Sequence, residues 1–272
     1  MNEVDLFSNQ SVELLKALHI LTRDGKMNLD SKRKLKQVYH LFQLIKPSLI
    51  SLSQKNNFYL VDHGSGKSYL GFILYDLFFK NYKKKFHIYS IDSRPDLIEK
   101  AKLLANNLNF SNMTFLCKSV EETIYSEDVP KKIDIVTALH ACDTATDDAL
   151  NFAIKKNAEF IILVPCCQAE VASVLKKNKE NISNQDLLSE LWRYPIHTRE
   201  FGSHITNVLR CLKLQSNGYS VKVTELVGWE HSLKNEIIIA KSNSGISKQF
   251  ARKKLNNLIK TIGLEDLSFR FC

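Results

Sequence analysis

The stretch His63-Gly64-Ser65-Gly66-Lys67-Ser68-Tyr69-Leu70-Gly71 constrains this chain more than any other. An apolar run, Phe58-Tyr59-Leu60-Val61, precedes it and ends in Asp62; the apolar-rich segment Tyr69 to Phe79 follows. Strand, glycine turn and helix in that order is the layout of a nucleotide site in an open α/β sheet. Gly66-Lys67-Ser68 matches the end of the P-loop pattern G-x-x-x-x-G-K-[ST], but Val61 stands where its first glycine belongs. Without that glycine the loop is too short to wrap a triphosphate in backbone N–H groups. The pattern G-x-G-x-x-G also fails, because Tyr69 replaces its third glycine. What remains is an acid at a strand tip, then G-x-G.

A second acid extends the pattern. Phe86-His87-Ile88-Tyr89-Ser90-Ile91-Asp92 reads as a strand that again ends in a carboxylate, 26 residues after Gly66. This is somewhat beyond the ~20 expected for a ribose-binding acid. The pair of tips suits S-adenosylmethionine (SAM), which carries no phosphate. Gly64 and Gly66 allow a close backbone turn for its amino-acid end, Asp62 offers a carboxylate to its ammonium group, and Asp92 can accept both ribose hydroxyls. The plainer alternatives are an ordinary glycine turn and an Asp92 that caps the next helix. Two acids at successive strand tips favour the site.

The rest of the chain alternates strand and helix. Strands are predicted at 57–62, 86–92, 113–117, 133–139, 159–164, 219–225 and 235–241, with helices between them, notably at 68–80, 96–108 and 144–156. That alternation implies a doubly wound α/β sheet, Rossmann-like and seven-stranded. The last two strands are close enough in sequence to form an antiparallel edge pair, so six parallel strands and one reversed edge strand are expected. Residues 1–55 read as a helical N-terminal extension: a helix over Val12 to Leu21, then one capped by Asp30 and ended by Pro47. Residues 56–243 form the main domain, with 172–204 as an insertion, and 244–272 a basic C-terminal helical tail.

Charge speaks to partners. The chain has 38 Lys+Arg against 29 Asp+Glu, a formal net charge of +9. Cations cluster at Lys32-Arg33-Lys34 with Lys36, at Lys83-Lys84-Lys85, at Lys176-Lys177 with Lys179, and at Arg252-Lys253-Lys254. Such clusters suit a polyanion, most simply RNA; the alternative is a lysine-rich solvated surface. Lys32 to Lys34 would crowd the first turn of the second helix against its dipole, which hints at anion binding. No apolar run reaches membrane-span length, and the first residues lack the basic region of a signal peptide. The six cysteines show neither a disulfide framework nor C-x-x-C spacing, so a reduced, cytoplasmic location is expected.

Ligands of open α/β sheets bind at the carboxyl ends of strands, so the fourth and fifth tips matter. They carry Leu139-His140-Ala141-Cys142-Asp143-Thr144-Ala145-Thr146-Asp147 and Val164-Pro165-Cys166-Cys167-Gln168. His140 is a candidate general base oriented by Asp143, while Asp143 or Thr144 also suits the cap of the following helix. His-x-Cys-Asp with Cys-Cys matches no metal-ligand spacing, so no metal is expected.

These two blocks, with Asp62 to Leu70, resemble the signature blocks of a class I SAM-dependent methyltransferase family. Its bacterial members are distantly similar to eukaryotic tRNA 2′-O-methyltransferases. The resemblance runs from about Lys32 to Lys241. It implies SAM contacts at Asp62, Gly64, Gly66 and Asp92, and an active crevice at His140, Asp143, Cys166, Cys167 and Gln168. Ser119 and Val120, after the third strand, would flank the adenine. The chain departs from the family at Ala169, where a histidine is usual, at Leu233, where a proline is usual, and at Asn207, where an acid is usual. The zinc-binding cysteine segments of the tRNA enzymes have no counterpart in this sequence, so their substrate is not carried over.

The expectation is a SAM-dependent methyltransferase acting on RNA at a ribose hydroxyl or base nitrogen. Three alternatives stand beside it: cytosine-C5 methylation with Cys142 or Cys166 as nucleophile, methylation of a protein or small molecule, and a non-catalytic SAM- or RNA-binding module.

Overall fold

The computed structural model describes residues 10–139, 141–165, 168–178, 187–226 and 236–272. Among them, seven strands form one sheet: β1 (Asn57–His63), β2 (Lys85–Asp92), β3 (Met113–Cys117), β4 (Ile135–Leu139), β5 (Phe160–Val164), β6 (Tyr219–Glu225) and β7 (Glu236–Ser242). Their spatial order is β3-β2-β1-β4-β5-β7-β6. β1 pairs in parallel with β2 on one side and β4 on the other, so the winding reverses there and opens a crevice at the tips of β1 and β4. β7 runs antiparallel to both β5 and β6. The reversed strand therefore lies one place in from the edge, and the edge strand β6 points with the others. This corrects the expected reversed edge. It also brings the start of β7, at Glu236, to the same end of the sheet as the parallel tips.

The helices are α1 (Val12–Ala17), α2 (Leu29–Leu52), α3 (Tyr69–Leu77), α4 (Pro95–Asn107), α5 (Val120–Tyr125), α6 (Thr144–Lys155), α7 (Glu170–Asn178), α8 (Pro195–Ser216), α9 (Lys248–Thr261) and α10 (Ser268–Phe271). Alternation along β1 divides the core. Phe58 and Leu60 face a cluster shared with α2, α3 and α4; Val61 faces the cluster of α6, with Ala149, Leu150, Phe152 and Ala153. A third cluster lies among α7, α8, α9 and α10, around Leu175, Leu209, Leu255 and Phe271.

The N-terminal helices share the main core. Leu14 of α1 and Phe42, Ile45, Leu49 and Leu52 of α2 join the β1 cluster. Three local expectations fail here. α1 stops at Ala17, because His19 takes a left-handed conformation (φ 56°) and Ile20 and Leu21 turn back to the Leu15 carbonyl. The cap of α2 is Asn28, whose side chain accepts from the Ser31 N–H at 2.8 Å, not Asp30. Pro47 does not end α2 but sits inside it. Ser48, Leu49 and Leu52 beyond the proline are buried, and that packing outweighs the lost backbone hydrogen bond. With the helix starting at Leu29, Lys32 to Lys34 fall in its second turn, and Lys34 pairs with Asp30 at 2.7 Å. The expected clash with the helix dipole is absent.

α7 and α8 touch at Gly202. A Cβ there would lie 2.7 Å from the Ala172 Cβ and 2.8 Å from its backbone N and Cα. The Ala172 backbone cannot swing aside, so the two helices would have to separate. Gly202→Ala is expected to lose about 1–3 kcal/mol of stability in urea denaturation despite its better helix propensity. An unchanged midpoint would show that the contact yields.

Candidate active site

The glycine loop connects β1 to α3. Gly64 (φ 61°), Gly66 (φ 56°) and Ser68 (φ 56°) all take left-handed conformations. A Cβ on Gly64 would press on Ala141 at 3.3 Å, and one on Gly66 would meet the Arg94 guanidinium at 3.4 Å. The loop is therefore wedged between the β4 tip and the segment after β2. Ser68 holds it from below through a 2.6 Å hydrogen bond between its hydroxyl and that of Ser90. Lys67 and Ser68 precede α3, which starts at Tyr69, rather than forming its first turn. The left-handed Ser68 is what separates turn from helix.

Asp62 and Asp92 occupy the two strand tips as expected, in unlike surroundings. Asp62 is buried, and accepts hydrogen bonds from the Thr137 hydroxyl at 2.7 Å and from the Gly71 N–H. It ties β1 to β4 and to α3. Burial raises its pKa to about 7 against the pull of those bonds, with Asp92 adding to the rise. Asp92 is also buried, but its carboxylate accepts from the Gly66 N–H at 2.7 Å, the Arg94 N–H at 3.0 Å, and the Arg94 Nε and Nη2 at 2.9 and 3.0 Å. Burial acts to raise its pKa, but the Arg94 and Gly66 hydrogen bonds outweigh it and hold the carboxyl below the usual range. Arg94 is a residue that strand-tip reasoning missed. Its signal was the strand-breaking Ser93-Arg94-Pro95, which puts a cation two residues from the acid. The Lys118 N–H donates to the Asp92 carbonyl at 3.2 Å, which sets Ser119 and Val120 beside this tip. Ser119 caps α5: its hydroxyl accepts from the Glu122 N–H and its N–H donates to Glu122 Oε2.

His63 stands between the acid and the loop. It is buried edge-on against Phe152, with ring centroids 4.4 Å apart, and neither ring nitrogen has a hydrogen-bond partner. Burial lowers its pKa to about 3, so the ring is neutral.

The fourth and fifth tips are joined by side chains. Asp143 adopts φ 48° at the N-cap position of α6 but gives that helix no side-chain bond. Its Oδ1 instead accepts from the Ala169 N–H at 3.0 Å and the Glu170 N–H at 3.4 Å, at the start of α7. The expected cap thus serves the neighbouring helix. Gln168 is buried; its amide N–H donates to Asn207 Oδ1 at 3.1 Å, and its Oε1 accepts from the Ser203 hydroxyl at 2.7 Å. Asn207 donates onward to Glu236 Oε2 at 2.6 Å and accepts from Arg210 Nη1 at 3.3 Å. Arg210, fully buried, clamps Asp147 with two bonds of 2.8 and 2.7 Å and donates to the Asp143 carbonyl at 2.9 Å. Ser203, Arg210 and Glu236 were not singled out from the sequence, because no local pattern shows that α8 and β7 meet the strand tips. His140, Cys166, Cys167 and Leu233 lie outside the described residues.

The chain matches a family described as a methyltransferase domain over residues 33–174, more than half its length. The chain belongs to this methyltransferase family. The glycine loop between two strand-tip acids and the doubly wound sheet with its reversed β7 accord with that family description. Curated relatives include the glutathione S-transferase C-terminal domain-containing proteins of Mus musculus, 26% identical over 237 residues, and of Homo sapiens, 25% identical over 235. Each match covers 80% of this chain but 34% of the relative, so the methyltransferase spans about a third of their length. Among solved structures it is similar to magnesium protoporphyrin IX methyltransferase from Synechocystis PCC 6803 (TM-score 0.49, 14% identity, 85% of this chain and 93% of that one). It is also similar to an rRNA methylase from Streptococcus thermophilus (TM-score 0.43, 8% identity, 74% and 97%).

Asp62 and His63 make opposite demands on pH. Asp62 holds its proton longer in the fold, so its contribution is full below its ordinary pKa near 3.8 and is lost as pH rises through about 7. His63 refuses its proton, so its contribution is full above its ordinary 6.5 and is lost as pH falls through about 3. Between those ordinary values the two slopes cancel. Relative to wild type, Asp62→Asn should gain stability with rising pH across this window, and His63→Gln should lose it, each by about 1.4 kcal/mol per pH unit. Urea denaturation at stepped pH reads both; parallel profiles for all three proteins would remove the linkage.

Proposed function

We propose that this methyltransferase acts on RNA, at a ribose hydroxyl or a base nitrogen. The observation that carries the reading is charge: a net +9, with cations gathered in four sequence clusters. A surface of that kind attracts a phosphate backbone and raises its local concentration at the crevice.

The residues present fit SAM. The left-handed Gly64 and Gly66 keep the loop bare where a Cβ would touch Ala141 or Arg94. Those glycines would receive the amino-acid end, and the ammonium group would favour the ionised form of the buried Asp62 beneath it. Asp92 would accept the ribose hydroxyls in place of the Arg94 side chain, and Ser119 and Val120 would border the adenine. When bound, SAM supplies a methyl group on a sulfonium centre. What the chain itself must supply is alignment, and proximity accounts for most of the rate in such a transfer.

The acceptor would lie at the fourth and fifth tips. Asp143 fixes the start of α7 to the loop after β4, so these two walls move as one. Gln168, held by Ser203 and Asn207, would present the fifth wall at a set height. His140 is assigned the role of taking the acceptor's proton, and Cys166 and Cys167 that of lining the crevice. A proton held by an imidazole near neutral pH leaves the acceptor oxygen or nitrogen electron-rich at the moment of transfer.

Calorimetric titration with SAM tests the cofactor placement. Asp92→Ala is expected to weaken binding at least tenfold, whereas Arg94→Ala, which frees both carboxylate oxygens, should bind at least as tightly as wild type. Equal affinity for wild type and Asp92→Ala would remove Asp92 from the site. Mass spectrometry of nucleosides from a strain lacking this protein tests the acceptor. One methylated nucleoside should disappear and return on complementation; an unchanged RNA profile with a lost protein methyl mark would overturn the RNA reading.

A further inference from the structure

Helix α9 carries a run of cations with no acid close to it in sequence. On α2, Lys34 pairs with Asp30; on α4, Lys100 pairs with Asp96 and Lys102 with Glu99. α9 carries Lys248, Arg252, Lys253, Lys254 and Lys260, and no acid occurs from residue 246 to residue 264. Among the described residues none of these five cations makes an ion pair. Lys248 sits in the first turn, where a cation opposes the helix dipole, and Lys248 and Arg252 form a like-charge i,i+4 pair. Each choice costs a few tenths of a kcal/mol or more, and they accumulate on one short helix.

The charges have a direction. Ala251, Leu255 and Ile259 are buried toward α8. The opposite side presents Phe250, Lys253, Lys254, Asn257 and Lys260, which follow i, i+3, i+4, i+7, i+10 spacing and so form one ridge. Phe250 is 59% exposed, an unusual position for a ring on a charged helix. Lys254 Nζ lies 4.5 Å from the centroid of that ring, over one face. Lys253 and Lys260 are two turns apart, about 10 Å along the axis.

We propose that this ridge is a docking strip for single-stranded RNA. A base stacks on Phe250, with Lys254 beside it, while Lys253, Lys254 and Lys260 meet the backbone phosphates. The inference rests on the RNA reading above and adds where the strand lies. An unpaired base is required, since a base inside a duplex has no free face to offer an aromatic ring. A membrane surface is disfavoured by the same geometry: an interfacial helix needs its apolar face outward, and here that face is buried against α8.

The test is fluorescence anisotropy with a labelled, unstructured RNA oligonucleotide across a salt series. The proteins are wild type, Lys253→Gln/Lys254→Gln/Lys260→Gln, Phe250→Ala, and Lys83→Gln/Lys85→Gln as a contrast at the start of β2. All replaced side chains are exposed, and equal melting temperatures confirm that each variant is folded. The α9 triple variant should reduce the slope of log affinity against log salt by about two, from three lost phosphate contacts. Phe250→Ala should weaken binding about tenfold with the slope retained, and the contrast variant should change the slope less than the triple variant does. Wild-type binding that both α9 variants preserve would overturn the strip while leaving the RNA reading intact. No RNA binding by wild type would overturn both. Equal affinity for the same sequence as a duplex, or tighter binding to phosphatidylserine vesicles or to an acidic protein than to RNA, would overturn the single-strand assignment.

Discussion

The buried Arg210–Asp147 pair is the interaction on which the crevice depends. Both partners are withdrawn from water, the guanidinium completely. Removing one partner of such a pair generally costs about 3–5 kcal/mol, because a lone buried charge is left behind. Here more than stability hangs on it. Arg210 reaches from α8 to Asp147 in α6, to the Asp143 carbonyl and to Asn207, which in turn holds Gln168 and Glu236. Four chain segments that are remote in sequence are thereby held in one frame. The fourth and fifth strand tips are positioned by charge and hydrogen bonds, whereas the glycine loop is positioned by backbone conformation.

The glycine loop and its two strand-tip acids were legible in the sequence for that reason. An apolar strand, a terminal acid and a glycine turn are local signals, and Asp62, Gly64, Gly66 and Asp92 all stand where those signals put them. The strands are found within about two residues of the predicted spans, since each is short, apolar and bounded by polar turns. Reading failed where long-range packing decides. Pro47 argued for a helix end, but buried residues beyond it carry α2 onward. Asp143 read as a cap for its own helix, yet it serves α7, a partner 26 residues downstream that no local pattern could indicate. The place of β7 between β5 and β6 is likewise a matter of sheet order and not of strand content.

Asn207 shows how a substitution at a family position takes its meaning from neighbours. As an amide it donates to the Glu236 carboxylate and accepts from Gln168 and Arg210 at once. A carboxylate at that position would have no proton to give Glu236 and would set two negative charges side by side. The departure from the family pattern is therefore matched to the acid on β7, and the frame around Gln168 stays fully satisfied.

The Arg94 clasp on Asp92 bears on the thermodynamics of ligand entry. A ribose bound at this tip, as proposed, would not fill a vacant acceptor. It would exchange with a guanidinium that already makes two bonds to the same carboxylate. The count of hydrogen bonds on Asp92 would then be nearly conserved across binding. Any gain at this point would come from the relative strength of those bonds and not from their number. Because the displaced cation would return to solvent, such a capture would also be coupled to ionic strength: salt that weakens the Arg94–Asp92 pair would lower the barrier to exchange.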